Sequence, residues 1–177
     1  MSNPFISLPV MQGPTLLLRP LQESDLEDLY QAASDPLIWE QHPDPLRYQR
    51  ERFEKSYFAG ALACSSALLV TDRESGEVLG CSRYYDWEPD KREVAVGYTF
   101  IVRSRWGGST NSELKRLMFD YAFQYVDKIW LHIGKNNWRS RKAAEKIGAV
   151  LAHETLREAN GQWLEYAYYC VTRDYKD

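Results

Sequence analysis

The sequence predicts an α/β domain built on one mixed sheet, and three observations predict it. Between Ala67 and Val102, three runs rich in β-branched and aromatic residues follow one another through polar turns, as an antiparallel meander requires. The third run meets a glycine turn and a helical pattern at Arg103 to Asn111, and a further strand run, Ile129 to Ile133, follows that helix. Strand, helix and strand so joined make a right-handed βαβ unit with parallel strands. Finally, two strand runs flanking Asn160-Gly161 read as a closing hairpin. With 177 residues, 44% of them hydrophobic, the chain can fill one core and is short for two. Residues 1–177 are therefore read as a single domain.

The elements follow in order. Thr15 to Pro20 is a short strand closed by proline. Ser24-Asp-Leu-Glu27 fits a capping box, and Leu26, Leu29, Tyr30 and Ala33 keep helical spacing until Asp35-Pro36 stops them. Three prolines from Pro36 to Pro45 argue against regular structure there. Ile38, Trp39 and His42 in that segment point either to a pocket lining or to aromatics tucked on the core edge. Tyr48 to Leu62 reads as an amphipathic helix with Phe53, Tyr57, Phe58, Ala61 and Leu62 inward. The meander strands are Ala67 to Thr71, Val78 to Tyr85 and Glu93 to Val102. Thr110 to Glu113 fits a second capping box, and the helix beyond it, to Val126, turns Leu114, Leu117, Met118, Tyr121, Ala122 and Tyr125 to one side. Asn137 caps a last helix, Trp138 to Ile147, which Gly148 ends. Val150 to Leu156 and Trp163 to Val171 form the hairpin.

A formal charge of −3 and a pI near 5.7 argue against a general binder of nucleic acid or of anionic membranes, while leaving room for a local basic patch. Cys64, Cys81 and Cys170 are far apart and odd in number, which suggests neither a disulfide framework nor a zinc site. Free thiols in a reducing cytosol are expected. No apolar run approaches a membrane span, and the N-terminus lacks a basic region followed by an apolar one, so a cytoplasmic protein is expected.

Arg103-Ser-Arg-Trp-Gly-Gly-Ser-Thr-Asn111 is the most informative stretch. A strand, glycine turn and helix gather the unpaired N–H groups of the helix's first turn at the positive end of its dipole, a site for phosphate or another anion. Gly107 and Gly108 let the backbone turn sharply and approach a ligand. The plainer alternative is a βα connection that simply needs glycine.

Taken together, the order of strands and helices resembles the GCN5-related N-acetyltransferase (GNAT) fold over nearly the whole chain. It is similar to the branch containing the ribosomal-protein N-terminal acetyltransferases, in which a Trp-Gly-x-Gly turn precedes the same helix. A second mark is Asn137-Trp-Arg-Ser140 followed by Glu145-Lys-Ile-Gly148, which resembles the family's N-x-x-S…E-K-x-G segment. The resemblance implies acetyl-CoA as co-substrate, held where two parallel strands splay apart. Phe100, Ile101 and Val102 would contact pantetheine, and Trp106, Gly107, Gly108, Ser109, Thr110 and Asn111 would enclose the pyrophosphate. Arg105, with Arg103, Arg139, Arg141 and Lys142, either meets phosphate oxygens or is a solvated charge. The turn departs from the family pattern Q/R-x-x-G-x-G/A, with Ser109 and Asn111 at its two glycine positions, so its geometry is the open question.

Amine acetylation needs a neutral nucleophile, donors for the developing oxyanion and a proton for the departing thiolate. Relatives often place a tyrosine in the last helix as acid, but Ala144 stands there. Ser140 is the candidate to protonate or hydrogen-bond the coenzyme sulfur, or else a first-turn hydroxyl satisfying its own backbone. Asn137 is expected to orient the cofactor or cap the helix. The usual strand carboxylate is replaced by Ala95, which leaves Glu93 on the same strand face as a base acting through water, or as a solvent-facing charge. Glu40, His42 and Asp86 are weaker options, and His132 reads as a satisfied core histidine; no metal site is expected. The acceptor would be a peptide N-terminus or a small amine, and the protein a monomer or homodimer. Two rival readings are a noncatalytic acyl-CoA-binding module and a Rossmann-type nucleotide domain, the latter opposed by the absence of G-x-G-x-x-G.

Overall fold

A computed structural model of the protein describes residues 1–159 and 161–175. Its framework is an eight-stranded mixed sheet in the order β1-β2-β3-β4-β5-β6-β8-β7. The strands are β1 (Met11–Gln12), β2 (Leu16–Pro20), β3 (Ala67–Asp72), β4 (Val78–Glu88), β5 (Glu93–Ile101), β6 (Lys128–Gly134), β7 (Val150–Ala159) and β8 (Gln162–Thr172). Neighbours from β1 to β5 are antiparallel, β5 and β6 are parallel, and β8 inserts antiparallel between β6 and β7. The mixed α/β class, the meander and the βαβ unit match the reading from sequence. So does the hairpin of β7 and β8, although Asn160 of its turn lies outside the described residues.

The helices are α1 (Leu26–Ala33), α2 (Pro36–Trp39), α3 (Arg50–Phe53), α4 (Ala59–Ala63), α5 (Thr110–Ala122) and α6 (Trp138–Lys146). They cover both sheet faces and divide the core in two. Leu114, Met118, Phe119 and Ala122 of α5 pack with Leu16, Leu68, Val94 and Val96 on one face. On the other, Leu29, Trp39, Phe53 and Tyr57 pack with Leu69, Cys81 and Phe100. No helix among the described residues is long and apolar enough to cross a membrane.

Several local expectations need correcting. Pro36 does not exclude helix but starts α2, because its fixed φ suits a first helical position and the Asp35 carboxylate accepts from Leu37 N–H at 3.0 Å. Between α3 and α4 the backbone widens into a π segment, Glu54–Phe58, which turns the adjacent Tyr57 and Phe58 both inward. The capping box near residue 24 forms two residues earlier: Asp25 accepts from Gln22 N–H at 2.8 Å and pairs with Arg19 at 2.7 Å.

The capping box at Thr110 does not form at all. Glu113 instead accepts from Thr15 N–H, Leu16 N–H and Thr15 Oγ1, tying α5 to β2. Lys115 and Phe119 join the buried side of α5, while Tyr125 is exposed.

Candidate functional site

Strand β5 pairs with β6 at only three positions, Glu93 with Lys128, Val94 with Ile129 and Ala95 with Trp130. Beyond Ala95 both strands continue, β5 to Ile101 and β6 to Gly134, with no further pairing between them. Two adjacent strands that lose their ladder leave facing backbone groups in need of partners, so the gap is a ready place for a ligand that carries amides. It opens into a cavity of about 840 Å³.

The turn after β5 forms one end of this cavity. Trp106, Gly107, Gly108 and Asn111 line it, as do Phe100, Ile101 and Arg105. Gly107 has φ +76°, a conformation costly for any residue with a Cβ, and a Cβ built on Gly108 would meet nothing within 4 Å. Ser109 has φ −92° and ψ −3°, ordinary helical values, so serine in place of the family glycine imposes no strain. Among the described residues no side chain caps the first turn of α5, and its amides keep their donors for a ligand.

Val102 and Thr110 belong to the same segment without lining the cavity, and Val102 N–H is used by Leu79 O at 2.8 Å. Arg105 is held by Asp72 at 2.8 Å and Arg103 by Asp35 at 2.6 Å, so both are paired charges. The Arg105 partner explains part of why Asp72 is held well below the usual carboxylate range, after the larger effect of Ser75 N–H.

Helix α6 supplies the facing wall. Asn137 caps it, its side chain accepting from Ser140 N–H at 3.3 Å, and Asn137, Ser140, Ala143, Ala144 and Ile147 line the cavity. Ala144 is buried, so no hydroxyl replaces the family tyrosine at its position. Arg139 stacks over the Trp106 ring at 4.0 Å and reaches Glu40 at 2.8 Å, which ties α6, the turn and the loop after α2 together.

Glu93 is not in the cavity. It sits in the short closed part of the β5–β6 ladder, where its carboxylate accepts from Trp130 Nε1 at 2.9 Å and faces Lys128 at 3.4 Å. Alternation put it on the expected strand face, but the position along the strand decides access, and the strands have not yet parted there.

The far end of the cavity is organised by a bulge in β5. Three steps of β5, Gly97 to Phe100, stand opposite two of β4, Cys81 to Arg83. The extra residue reverses the side-chain parity: Val94 and Val96 face α5, yet so does Ile101, while Phe100 turns to Trp39 on the opposite face. Tyr98 carries the distortion with φ +51°, and its carbonyl accepts from the Tyr57 hydroxyl delivered by the π segment. Such a φ in a non-glycine residue is strained and persists only where its surroundings hold it. Gly97 fits for a different reason: a Cβ there would lie 3.1 Å from the Tyr85 ring, a tight approach.

Around the bulge gather residues that the sequence reading missed or passed over. The Tyr85 hydroxyl is 2.9 Å from Nδ1 of His132, and both line the cavity. Burial, with the nearby Arg157 charge, pushes His132 down to about 4, and burial raises Tyr85, so the pair is neutral. His42 is pushed down to about 3 by burial and then by Arg47, and its Nδ1 already accepts from Asp44 N–H at 3.0 Å. Lys115, buried on the α5 side, donates to Thr99 Oγ1 at 2.6 Å, and burial lowers it to about 7. Arg47 and Arg83 are buried in the same lining. One signal in the sequence pointed here: Arg83 interrupts the otherwise apolar or small run Val78 to Tyr85.

A family model described as "Acetyltransferase (GNAT) domain" matches residues 15–150. No curated protein matches the chain. Among solved structures, a GCN5-related N-acetyltransferase from Brucella melitensis is similar with a TM-score of 0.76 and 20% identity, over 93% of this chain and 78% of that one. RimL, a ribosomal L7/L12 alpha-N-protein acetyltransferase in complex with coenzyme A, aligns with a TM-score of 0.73 and 20% identity, over 95% of this chain and 100% of the other. Spermidine N-acetyltransferase from Vibrio cholerae, in complex with CoA and spermine, gives 0.68 and 18%, over 91% and 97%. At these identities the likeness establishes the fold.

Proposed function

This chain belongs to the GNAT acetyltransferase family, and on that premise we propose that it moves an acetyl group from acetyl-CoA to a primary amine, by direct attack in a ternary complex. The observation that carries the proposal is the parting of β5 and β6 after Ala95, which opens the cavity toward the uncapped N-terminus of α5. Acetyl-CoA supplies an activated thioester. In this reading the amides from Gly108 to Asn111 receive its diphosphate at the positive helix end, and the free edge of β5 up to Phe100 and Ile101 pairs with the pantetheine amides.

Proton handling falls to few groups. The attacking amine must be neutral, and an α-amine with a pKa near 8 is about a tenth neutral at pH 7. Positioning therefore supplies much of the acceleration, and a strong base is unnecessary. Glu93 is too far along the closed ladder for the role given to it by sequence. The Tyr85–His132 pair lies in the cavity, is uncharged, and is the group proposed to accept the amine's proton. As the C–S bond breaks, Ser140 donates a hydrogen bond or a proton to the sulfur from the first turn of α6.

The reading to set against this is a noncatalytic acyl-CoA-binding module, which Ala144 and Ala95 favour by removing the usual acid and base. Release of free CoA thiol, followed with acetyl-CoA and a panel of peptide N-termini and small amines, separates the two. An enzyme releases thiol above the buffer rate with at least one amine. A binder is stabilised by acetyl-CoA and releases none.

A further inference from the structure

We propose that the acceptor is an amine that also carries a carboxylate, and that Arg83, supported by Arg47, receives that carboxylate at the bulge end of the cleft. The inference rests on the acetyl-transfer reading above and deepens it. Arg83 is 9% exposed, lines the cavity, and has no hydrogen bond or ion pair among the described residues; its Nε is buried without a partner. What it does have is the Tyr98 ring, with its guanidinium carbon 3.4 Å from the ring centroid. Stacking fixes the plane of the fork without using its N–H groups, which is how an arginine is presented to a two-oxygen acceptor. A guanidinium cannot shed its charge to escape burial, so a buried fork with idle donors is a site in want of an anion.

Arg47 is also under-partnered. It is 5% exposed, its Nε lacks a hydrogen bond, its Nη1 is 3.4 Å from His42 Nε2, and its nearest carboxylate, Asp44 at 3.4 Å, is shared with Arg52 at 3.1 Å. Of the seven basic side chains along the cavity, Arg52, Arg105 and Arg139 are answered by Asp44, Asp72 and Glu40, and burial lowers Lys115, which leaves Arg83 and Arg47 as the poorly matched charges. Arg157 is already answered by Asp86 at 3.0 Å and the Tyr168 hydroxyl.

The coenzyme's own phosphates do not account for Arg83. It stands opposite Gly97, while the glycine turn begins past Ile101, four residues or roughly 13 Å along the strand. A polycation has no reason to enter a pocket that presents two poorly matched guanidinium groups.

The test titrates matched pairs that differ only in carboxylate against carboxamide, using calorimetry on protein saturated with CoA and thiol release with acetyl-CoA. Glycine with glycinamide, and glutamate with glutamine, probe a free amino acid. Aspartyl and asparaginyl dipeptide amides probe a peptide N-terminus. In at least one pair the carboxylate member is expected to bind tenfold or more tightly, and Arg83→Gln is expected to cut that preference below threefold with CoA affinity unchanged. Arg83→Lys, which keeps the charge for folding but not the fork, is expected to retain part of it. Equal binding within every pair, tighter binding of spermidine, or a full preference in folded Arg83→Gln overturns the proposal. Preference in binding without any thiol release sinks the enzymatic reading alone; thiol release without preference sinks the carboxylate site alone.

Discussion

Lys115 makes the pH dependence of stability a test of the interior. Its ammonium is buried on the α5 side with Thr99 Oγ1 as its partner, and burial lowers it to about 7 from 10.5. The unfolded chain therefore binds a proton between those values that the folded chain does not. Stability from this group is fully present above pH 10.5 and is lost as pH falls toward 7. Lys115→Met is expected to raise the unfolding free energy of the ligand-free protein by about 2 kcal/mol at pH 7 and to flatten its rise between pH 7 and 10, read by urea denaturation. A steeper rise in the variant would refute the assignment. For Ser140, the Ser140→Ala variant is expected to lower turnover roughly a hundredfold with little change in acetyl-CoA affinity, since a proton donor acts on the departing sulfur and not on the bound ground state. His132→Gln should likewise reduce turnover by about tenfold or more, measured as thiol release on the best amine of the panel. The Asn137 cap was legible because a helix cap is local in sequence. Glu93 lies outside the cavity lining, since alternation gives a face of a strand and says nothing of where the strand leaves its neighbour.

The turn between β5 and α5 separates binding from folding. Gly108 has open space around it, so Gly108→Val should leave the thermal midpoint nearly unchanged while weakening acetyl-CoA binding by about tenfold or more, checked by calorimetry. Equal loss of both would mean that the turn is merely structural. Glu113 acts in the opposite way. Its three hydrogen bonds to Thr15 and Leu16 anchor α5 on β2, and Glu113→Ala is expected to cost about 2 kcal/mol in urea unfolding. Nothing local marks that anchor, because S/T-x-x-E is equally a cap and a coincidence, and the competing donors lie 97 and 98 residues away. The same limit hid the β5 bulge. Val94 to Ile101 reads as an unbroken strand, and one extra residue leaves no mark in a run where both faces are covered.

Across the molecule, the order of elements was legible because strand and helix periods are strong over this length, and the two motifs near residues 106 and 140 marked opposite walls of one cleft. The chemistry at its far end was hidden, since Arg47, Arg83, Tyr98 and His132 come from four separate segments that only the sheet brings together. The sheet order carries a further consequence. Strand β6, one wall of the cleft, meets β5 at three positions but β8 along its whole length from Lys128 to Gly134. A nascent chain that has emerged only through α6 thus holds this wall by a short grip, and the groove is completed when residues 162–172 slide in beside it. Competence to hold a ligand is expected to wait on β8, and a polypeptide stopped before residue 162 would not sequester coenzyme.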